Sequence, residues 1–470
     1  MCDLGRRMKK MVSLIKKFGF NNNSIRQDVV RIAWPVLIEL VLSSLFSMVD
    51  MMMLGNMKDT EIADASVAAV SLTNQPLLIG LSLIQALNVG ATALVSRYLG
   101  SNQHERIEST LKHVLIISLF MLGIPLAIVG LIFTDGILNF MGAEADSLAV
   151  GRAYFRIIMI SLIFQSINMS ITAALRGVGQ TRIPMKINLS ANFINVIGNF
   201  ILIYGFFGLP ALGITGAGIS TTLSNALATL LLLIYVVRGK GLVRLSFISR
   251  FRFDPRIIFN MIKIGVPATL EQMILRIGIL FFVKIVAGLG TVILTTHQIS
   301  LSILNLSFQP GMAFSIAASA LIGRSLGENL PDKAESYGKE TRKMGSMIST
   351  IMAFILFFFG KQLADLYSDN PEVIKNSATV LKIIALVQPF QSSQLILVGG
   401  LRGAGDTVWP LFATFIGVVI LRLGVAFYLV NIIKMGLIGA WIAIFVDQFV
   451  RWLFIYLRFK TGKWKYIKIK

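Results

Sequence analysis

The chain alternates between long apolar blocks and short polar segments. Blocks of roughly 20 to 30 mostly apolar residues recur along it, for example "VLIISLFMLGIPLAIVGLIF" from 114 to 133, and a helix needs roughly 20 such residues to cross a bilayer. We count twelve blocks, which begin near residues 28, 66, 110, 150, 184, 213, 258, 292, 340, 376, 409 and 436. The pattern predicts an all-α polytopic membrane protein with twelve transmembrane helices.

The two halves of the chain repeat each other. "ALRGVGQTRIP" at 174–184 matches "GLRGAGDTVWP" at 400–410, and "ATALVSRYLGSN" at 91–102 matches "ASALIGRSLGEN" at 318–329. Six helices are thus duplicated, and because six is even, both copies enter the membrane from the same side. The repeat predicts two six-helix lobes related by a pseudo-two-fold axis along the membrane normal, with a cleft between them for alternating access.

The distribution of charged residues predicts the orientation of the chain in the membrane. Only 14% of the 470 residues are charged and 55% are hydrophobic, whereas soluble proteins carry roughly 25% charged residues. The net charge of +21 comes from Lys and Arg concentrated in alternate loops, which the positive-inside rule places in the cytoplasm. We therefore expect a multi-pass protein of the plasma (cytoplasmic) membrane with both termini cytoplasmic. Nucleic acid is not an expected partner.

These patterns divide the chain into five parts. They are a basic amphipathic N-terminal segment, an N-lobe, a cytoplasmic linker, a C-lobe and a basic C-terminal tail, which we place at 1–27, 28–237, 238–256, 257–460 and 461–470. The single cysteine, Cys2, excludes a disulfide framework. No phosphate loop, metal-ligand cluster or nucleophile–base motif is present. We therefore expect no enzyme activity and no cofactor, and transport energy should come from an ion gradient.

Two acids share the first predicted helix. Glu39 and Asp50 are 11 residues apart, which places both on one helix face, about 16 Å apart along the axis. Pro35 lies one turn before Glu39 and removes a backbone hydrogen bond, so it predicts a hinge. Ionisable groups in a membrane normally face a cavity or a partner. The alternative for Asp50 is a role as a cap near the outer end of the helix.

Amides form further polar stripes. Asn188, Asn192, Asn195 and Asn199 follow helical spacing in the fifth block, so they indicate either a wet cavity or hydrogen bonds between helices. The candidate cavity residues for substrate are Glu39, Asn188, Asn192, Gln165, Asn168, Glu271 and Gln391. Glu271 corresponds to Glu39 in the repeat, and Gln391 corresponds to Gln165. Because most of these groups are neutral, the site is predicted to bind through hydrogen bonds around a few carboxylates.

Other polar groups favour structural roles. Asp447 and Arg451 stand at i and i+4 and predict an ion pair. Arg276 follows Glu271 at i+5, which is poor spacing for a contact on a helix. His297 is a lone histidine, for which a structural hydrogen bond is favoured over a proton relay.

Several of these segments resemble the multidrug and toxic compound extrusion (MATE) family. The first helix ending in "VDMMMLG", the stretch "NFINVIGNFILIYG", the paired "LRGxGxT" motifs and "THQIS" carry the resemblance, which covers about 28 to 460. It implies a twelve-helix antiporter that exports organic cations against a proton or sodium gradient.

The resemblance also implies roles for residues. Asp50 is similar to the aspartate that binds the coupling ion, with Asn195 and Asn199 beside it. Pro35 is similar to the proline at which the first helix bends. Sodium-coupled members also use acids in the second half, where this chain has Gln391, so that site is incomplete here. The sequence leaves proton and sodium open, and the candidate positions for a sodium ion are near Asp50 or Glu271.

Two other functions remain open. A flippase of a lipid-linked precursor has related architecture and would favour a cavity with several buried Arg or Lys to hold a pyrophosphate. A non-transporting scaffold or an integral membrane enzyme would need a filled cavity or a catalytic cluster. We favour a monomeric exporter of cationic small molecules in the lipid bilayer, since the N-lobe stripe consists of amides and acids.

Overall fold

The computed structural model describes residues 24–57, 59–239, 241–246 and 251–467. Most of the predicted N-terminal segment therefore lies outside the described residues. So do five residues of the predicted linker and the last three residues of the tail.

Twelve long helical units account for nearly all of the described chain. They are α1 Ser24–Gly55, α2 Thr60–Gly100, α3 His104–Ile132, α4 Ala145–Gly177, α5 Arg182–Tyr204, α6 Gly213–Val237, α7 Pro255–Ala287, α8 Thr291–Gly327, α9 Pro331–Asp365, α10 Pro371–Ala404, α11 Val408–Ile432 and α12 Gly436–Lys460. Eleven of them are long and apolar enough to cross a membrane. The other, α7, is equally long but carries charged side chains near its middle, including Glu271 and Arg276. The all-α, two-lobed fold class is confirmed.

Some units are irregular. The π-helical stretches Ile117–Gly123 and Phe415–Arg422 interrupt α3 and α11, and α8 breaks at Phe308, just before Pro310. By contrast, α1 continues unbroken through Pro35. The role of Pro35 as a hinge stays a prediction.

Each lobe has the same internal packing. In the N-lobe, α4 packs against α2 and α6, while in the C-lobe α10 packs against α8 and α12. Apolar side chains such as Phe120 and Phe358 stay exposed on the outer surface, as a lipid-facing surface requires. The lobes meet where α1 and α2 contact α7 and α8.

The lobes approach closely at the end that carries the basic loops. A Cβ on Gly100 would lie 2.0 Å from the Arg324 carbonyl oxygen, and one on Gly327 would lie 2.2 Å from the Arg97 carbonyl oxygen. Arg97 Nη2 also donates to the Ala404 carbonyl oxygen at 2.9 Å. The repeated Arg and Gly positions thus close one end of the cleft, and only glycine allows this backbone approach.

The C-lobe contains a buried ion cluster. Arg451 Nε donates to Asp447 Oδ1 at 2.8 Å, which confirms the predicted pair. Arg422 Nε from α11 also donates to Asp447, at 2.9 Å. The hydrogen bond expected for His297 is wrong: neither ring nitrogen has a partner among the described residues. The ring instead lies against the aromatic rings of Phe282 and Trp441.

We expect the basic end to face the cytoplasm. With Cys2 replaced by Ser, Leu366→Cys in the α9–α10 loop should react with an impermeant thiol reagent added to whole cells, while Leu242→Cys in the linker should not. Both native side chains are exposed, so accessibility should depend on the side of the membrane. Labelling of Leu242→Cys in intact cells would contradict this orientation.

We expect Gly100→Ala and Gly327→Ala to destabilise the protein, since each Cβ would overlap the opposing backbone. Overpacking of this kind costs about 1–3 kcal/mol, which thermal unfolding in detergent can detect. Gly424→Ala is the matched control because nothing lies within 4 Å of its added Cβ. Equal melting temperatures for all three variants would show that the close approach does not contribute to stability.

Candidate functional site

A seam of polar contacts joins α1 to α5. The helices run parallel, and four hydrogen bonds connect residues separated by a constant 149 positions. They are Thr181 to the Ile32 carbonyl oxygen, Asn188 to Glu39, Asn192 to Ser43 and Asn199 to Asp50. The α1 partners are spaced by seven, four and seven residues, which keeps them on one helix face. The seam explains why α1 retains polar groups inside a membrane protein.

Asp50 lies near one end of this seam. Its Oδ1 accepts from Asn199 Nδ2 at 2.7 Å. The surroundings of Asn195 orient its amide so that Nδ2 donates to Asp50 Oδ2 at 3.2 Å, while its oxygen accepts from the backbone N–H of Thr221 at 3.1 Å. No Lys or Arg forms an ion pair with Asp50 among the described residues. The structure thus brings together the three predicted ion-coupling residues.

Glu39 has a different environment. It is 5% exposed, and its two oxygens accept from Asn188 Nδ2 at 2.7 Å and from Arg176 Nη2 at 3.0 Å. Arg176 was not among the predicted site residues, although its place in the repeated "LRG" motif was an available signal. The ion pair satisfies Glu39 inside the lobe.

The C-lobe repeats this ion pair. Arg402 Nη2 donates to Glu271 Oε2 at 2.8 Å, and Thr414 Oγ1 donates to Glu271 Oε1 at 3.4 Å. The partner of Glu271 is therefore the counterpart of Arg176, and Arg276 is left outside the pair. Gln391 is buried in α10, and its Oε1 has no partner among the described residues. The structure does not bring Glu271 or Gln391 to the site around Asp50.

A cavity of about 290 Å³ opens beside the α1–α5 seam. Its lining includes seven predicted site residues: Glu39, Asp50, Gln165, Asn168, Asn188, Asn192 and Asn195. Within the lining, Gln165 Nε2 donates to Ser161 Oγ at 3.1 Å, and Asn168 Nδ2 donates to Asn188 Oδ1 at 3.1 Å. The amides therefore serve both roles left open by the sequence, since they join helices and also line a polar cavity. We call this space the N-lobe cavity.

A second space lies between the lobes. Two adjoining cavities of about 380 and 290 Å³ share Gln85, Met169 and Arg402 in their linings. The larger one also shares Asn168, Met169 and Asn188 with the N-lobe cavity. We call the joined pair the interlobe cavity. Its position between the lobes makes it the second candidate site for a bound molecule.

A metal cluster is not part of the candidate site. Among the residues that the structure describes, no group of three or more His, Cys, Asp or Glu side chains could hold a metal ion. The polar lining can instead offer one carboxylate together with amide and hydroxyl oxygens. Such a set can bind a proton or a single hard cation such as sodium.

Comparisons with known proteins agree on one family. The MatE family model matches residues 35–201 and 267–428. A probable multidrug resistance protein NorM of Thermotoga maritima is 28% identical over 448 residues, which cover 94% of this chain and 93% of that protein. The multidrug resistance protein NorM of Vibrio cholerae is 26% identical and covers 86% and 87%, respectively.

Solved structures match over the same length. A crystal structure of MATE in the straight conformation has a TM-score of 0.86 at 21% identity, covering 94% of this chain and 98% of that one. An outward-facing structure of a multidrug resistance MATE family transporter has a TM-score of 0.84 at 22% identity, covering 94% and 97%. At these identities the likeness establishes the fold.

We expect Glu39 and Arg176 to depend on each other. Arg176→Gln or Glu39→Gln alone should lower the free energy of unfolding, by up to about 3–5 kcal/mol, because each leaves a buried partner uncompensated. The double variant should lose less than the sum of the two losses. Thermal unfolding of all three variants in detergent gives this comparison.

The control is Arg152→Gln, which breaks an ion pair with Asp135 whose side chains are 47% and 50% exposed. Loss of that pair should cost no more than about 1 kcal/mol. Strictly additive effects at Glu39 and Arg176 would contradict a coupled pair.

Proposed function

The chain belongs to the MatE family of efflux transporters, and we propose that it is a multidrug antiporter that exports organic cations in exchange for protons or sodium ions. Relatives that cover most of its length are named multidrug resistance proteins. The two-lobed fold suits alternating access. Both termini would lie in the cytoplasm and export would run outward.

One observation carries the proposal: among the described residues, Asp50 lines a cavity and has no cationic partner. Glu39, Glu271 and Asp447 each form an ion pair with Arg in the described part of the chain. Asp50 has only amide partners, and it lines the N-lobe cavity. A carboxylate in such a setting is available to a mobile cation.

Exchange then follows from competition at Asp50. In the ionised state the carboxylate attracts a cationic drug, and protonation or sodium binding removes that attraction. An ion entering from outside would therefore help to release the drug outward. Linkage requires that bound drug weakens binding of the ion by the same factor.

The amides allow either coupling ion. In the present arrangement the Asn195 and Asn199 nitrogens donate to Asp50, which suits the ionised carboxylate. A sodium ion would need oxygen ligands, and rotation of these amides supplies them, since each carries an oxygen as well as a nitrogen. A proton needs no such rotation. Transport driven separately by each ion distinguishes the two.

A flippase of a lipid-linked precursor is the second candidate. The observation in its favour is that Arg176, Arg276 and Arg402 line the interlobe cavity, since buried arginines suit a pyrophosphate. However, Arg176 and Arg402 are already paired with Glu39 and Glu271. The acidic N-lobe cavity adjoins this space, which favours export of compounds that carry a positive charge.

Asp50→Asn tests the antiporter. We expect it to abolish efflux of a cationic dye from proteoliposomes under an imposed proton or sodium gradient, because Asn cannot change its charge. Folding should be preserved, since Asn can still accept a hydrogen bond from Asn199. Size-exclusion profile and melting temperature check the fold.

Asp64→Asn is the matched control because Asp64 is exposed on α2 and does not line the N-lobe cavity. It should transport as the unmodified protein does. Undiminished gradient-driven efflux by Asp50→Asn would overturn the assignment of Asp50 as the coupling residue.

A further inference from the structure

A groove opens on the surface of the C-lobe at the basic end. Helix α10 packs against both α9 and α12, and it forms the floor of the groove between them. The groove has a volume of about 730 Å³. It shares no lining residue with the N-lobe cavity or the interlobe cavity, so it is separate from the space assigned to transport. We call it the C-lobe groove.

Basic side chains outnumber acidic ones in the lining of this groove. The four basic residues are Lys339, Arg342, Lys343 and Lys460, and the two acidic residues are Glu335 and Glu340. Both acids are already neutralised within the described part of the chain. Glu335 forms ion pairs with Lys339 and Lys465. Glu340 forms an ion pair with Arg26 of α1 at 3.0 Å.

Three of the cations in the groove have no acidic partner. Arg342, Lys343 and Lys460 take part in none of the ion pairs between described residues. Lys343 and Lys460 are exposed, while the Arg342 guanidinium lies over the Tyr456 ring, 5.1 Å from its centroid. The groove therefore carries a net positive charge that the described part of the protein does not balance, and an anionic partner complements it.

Aromatic side chains indicate the depth of the groove in the membrane. Phe390 of α10 and Trp452 of α12 lie with their ring centroids 5.1 Å apart, and Trp452 stacks on Tyr456 at 5.4 Å. Trp452 Nε1 donates to Ser393 Oγ at 3.0 Å, which fixes the orientation of the indole. Trp and Tyr are enriched at membrane–water interfaces. The basic residues beside them are therefore expected at the level of the lipid headgroups.

An exposed apolar stripe continues from the basic residues. Along α9, Lys343 is followed at helical spacing by Met347, Ile351 and Phe354, which are 49%, 53% and 60% exposed. These side chains share one helix face and run from the basic end toward the middle of the membrane. A cation at the head of an apolar stripe matches the order of headgroup and acyl chains in a phospholipid. A free phosphate ion would use only the charged part of this surface.

Ser346 adds a neutral donor to the groove. Its Oγ is buried without a hydrogen-bond partner among the described residues, and the residue lines the groove one helical turn beyond Arg342. A guanidinium and a hydroxyl on successive turns can donate to the oxygens of one phosphodiester. A zwitterionic headgroup would also bring a cation beside Lys343 and Lys460, so the groove favours a headgroup with a net negative charge.

We propose that the C-lobe groove binds an anionic glycerophospholipid from the leaflet at the basic end. The phosphodiester lies among Arg342, Lys343 and Lys460, the glycerol backbone rests against Trp452, and the acyl chains follow the α9 stripe. Basic pockets between transmembrane helices on the cytoplasmic side recognise lipid headgroups in this way. The inference goes beyond the proposed export, since the groove is separate from both transport cavities.

Native mass spectrometry of the full chain tests the site, because it counts bound lipids and identifies them by mass. The delipidated protein in detergent is titrated with phosphatidylglycerol and, separately, with phosphatidylcholine that has the same acyl chains. The first phosphatidylglycerol should bind roughly 10-fold or more tightly than the first phosphatidylcholine. Each basic residue near a membrane surface contributes roughly five-fold to affinity for an anionic lipid.

The double variant Lys343→Gln/Lys460→Gln should weaken binding of the first phosphatidylglycerol roughly 10-fold or more, because it removes two of these contributions. Binding of phosphatidylcholine should change less than about two-fold, since that lipid has no net charge. Both lysines are exposed, so the fold should be preserved, which the melting temperature checks. Lys343→Arg/Lys460→Arg keeps both charges and should bind phosphatidylglycerol as the unmodified protein does.

Lys186→Gln/Lys263→Gln is the matched control. It removes two lysines that are also exposed near the basic end but do not line the C-lobe groove. Binding of the first phosphatidylglycerol should stay within about two-fold of that of the unmodified protein, since the loss of charge lies outside the site.

Three results would overturn the lipid site. The first is equal affinity of the unmodified protein for the two lipids. The second is an equal loss in the groove variant and the control variant, which would indicate a general attraction to the basic end. The third is displacement of phosphatidylglycerol by inorganic phosphate, which would identify a free anion as the occupant. None of them bears on the proposed export, which Asp50→Asn tests separately.

Discussion

The cost of placing a polar group inside a membrane governs this molecule. Each buried donor or acceptor must find a partner within the protein, because lipid supplies none. The seam between α1 and α5 meets that demand with hydrogen bonds at a constant offset of 149 residues. It holds two helices parallel, fixes their register and leaves Asp50 at the edge of a cavity. The same contacts therefore stabilise the N-lobe and position its candidate coupling residue.

Duplication then gives both lobes the same internal ion pair. Arg176 reaches back from the end of α4 to Glu39, and Arg402 reaches from the end of α10 to Glu271. Each pair neutralises a carboxylate that would otherwise be costly in lipid. The lobes differ at Asp50. By the offset that relates Glu39 to Glu271, the C-lobe counterpart of Asp50 is Phe282. The candidate cation site thus belongs to one lobe, although the scaffold around it is symmetric.

The cleft between the lobes is lined both by positions that the two lobes share and by positions that belong to one lobe. Gly100 and Gly327 allow backbones to touch at the basic end, while Arg276 and Arg402 face the space further along. Closure at one end with polar groups beyond it is the arrangement that alternating access needs. Because opening the basic end would separate Arg97 from the Ala404 carbonyl oxygen, this contact stabilises the closed form of that end.

The sequence alone determined the helices, the repeat and the polar face of α5, because spans of apolar residues and helical spacing are local properties that the membrane enforces. It also marked Glu39, Asp50 and the asparagines as functional candidates. The sequence could not show which charged groups form ion pairs with one another. Glu271 and Arg402 are 131 positions apart, and no local pattern indicates that they meet or that His297 lies among aromatic rings. Only tertiary packing decided which carboxylates receive a guanidinium partner, and among the described residues it left Asp50 without one.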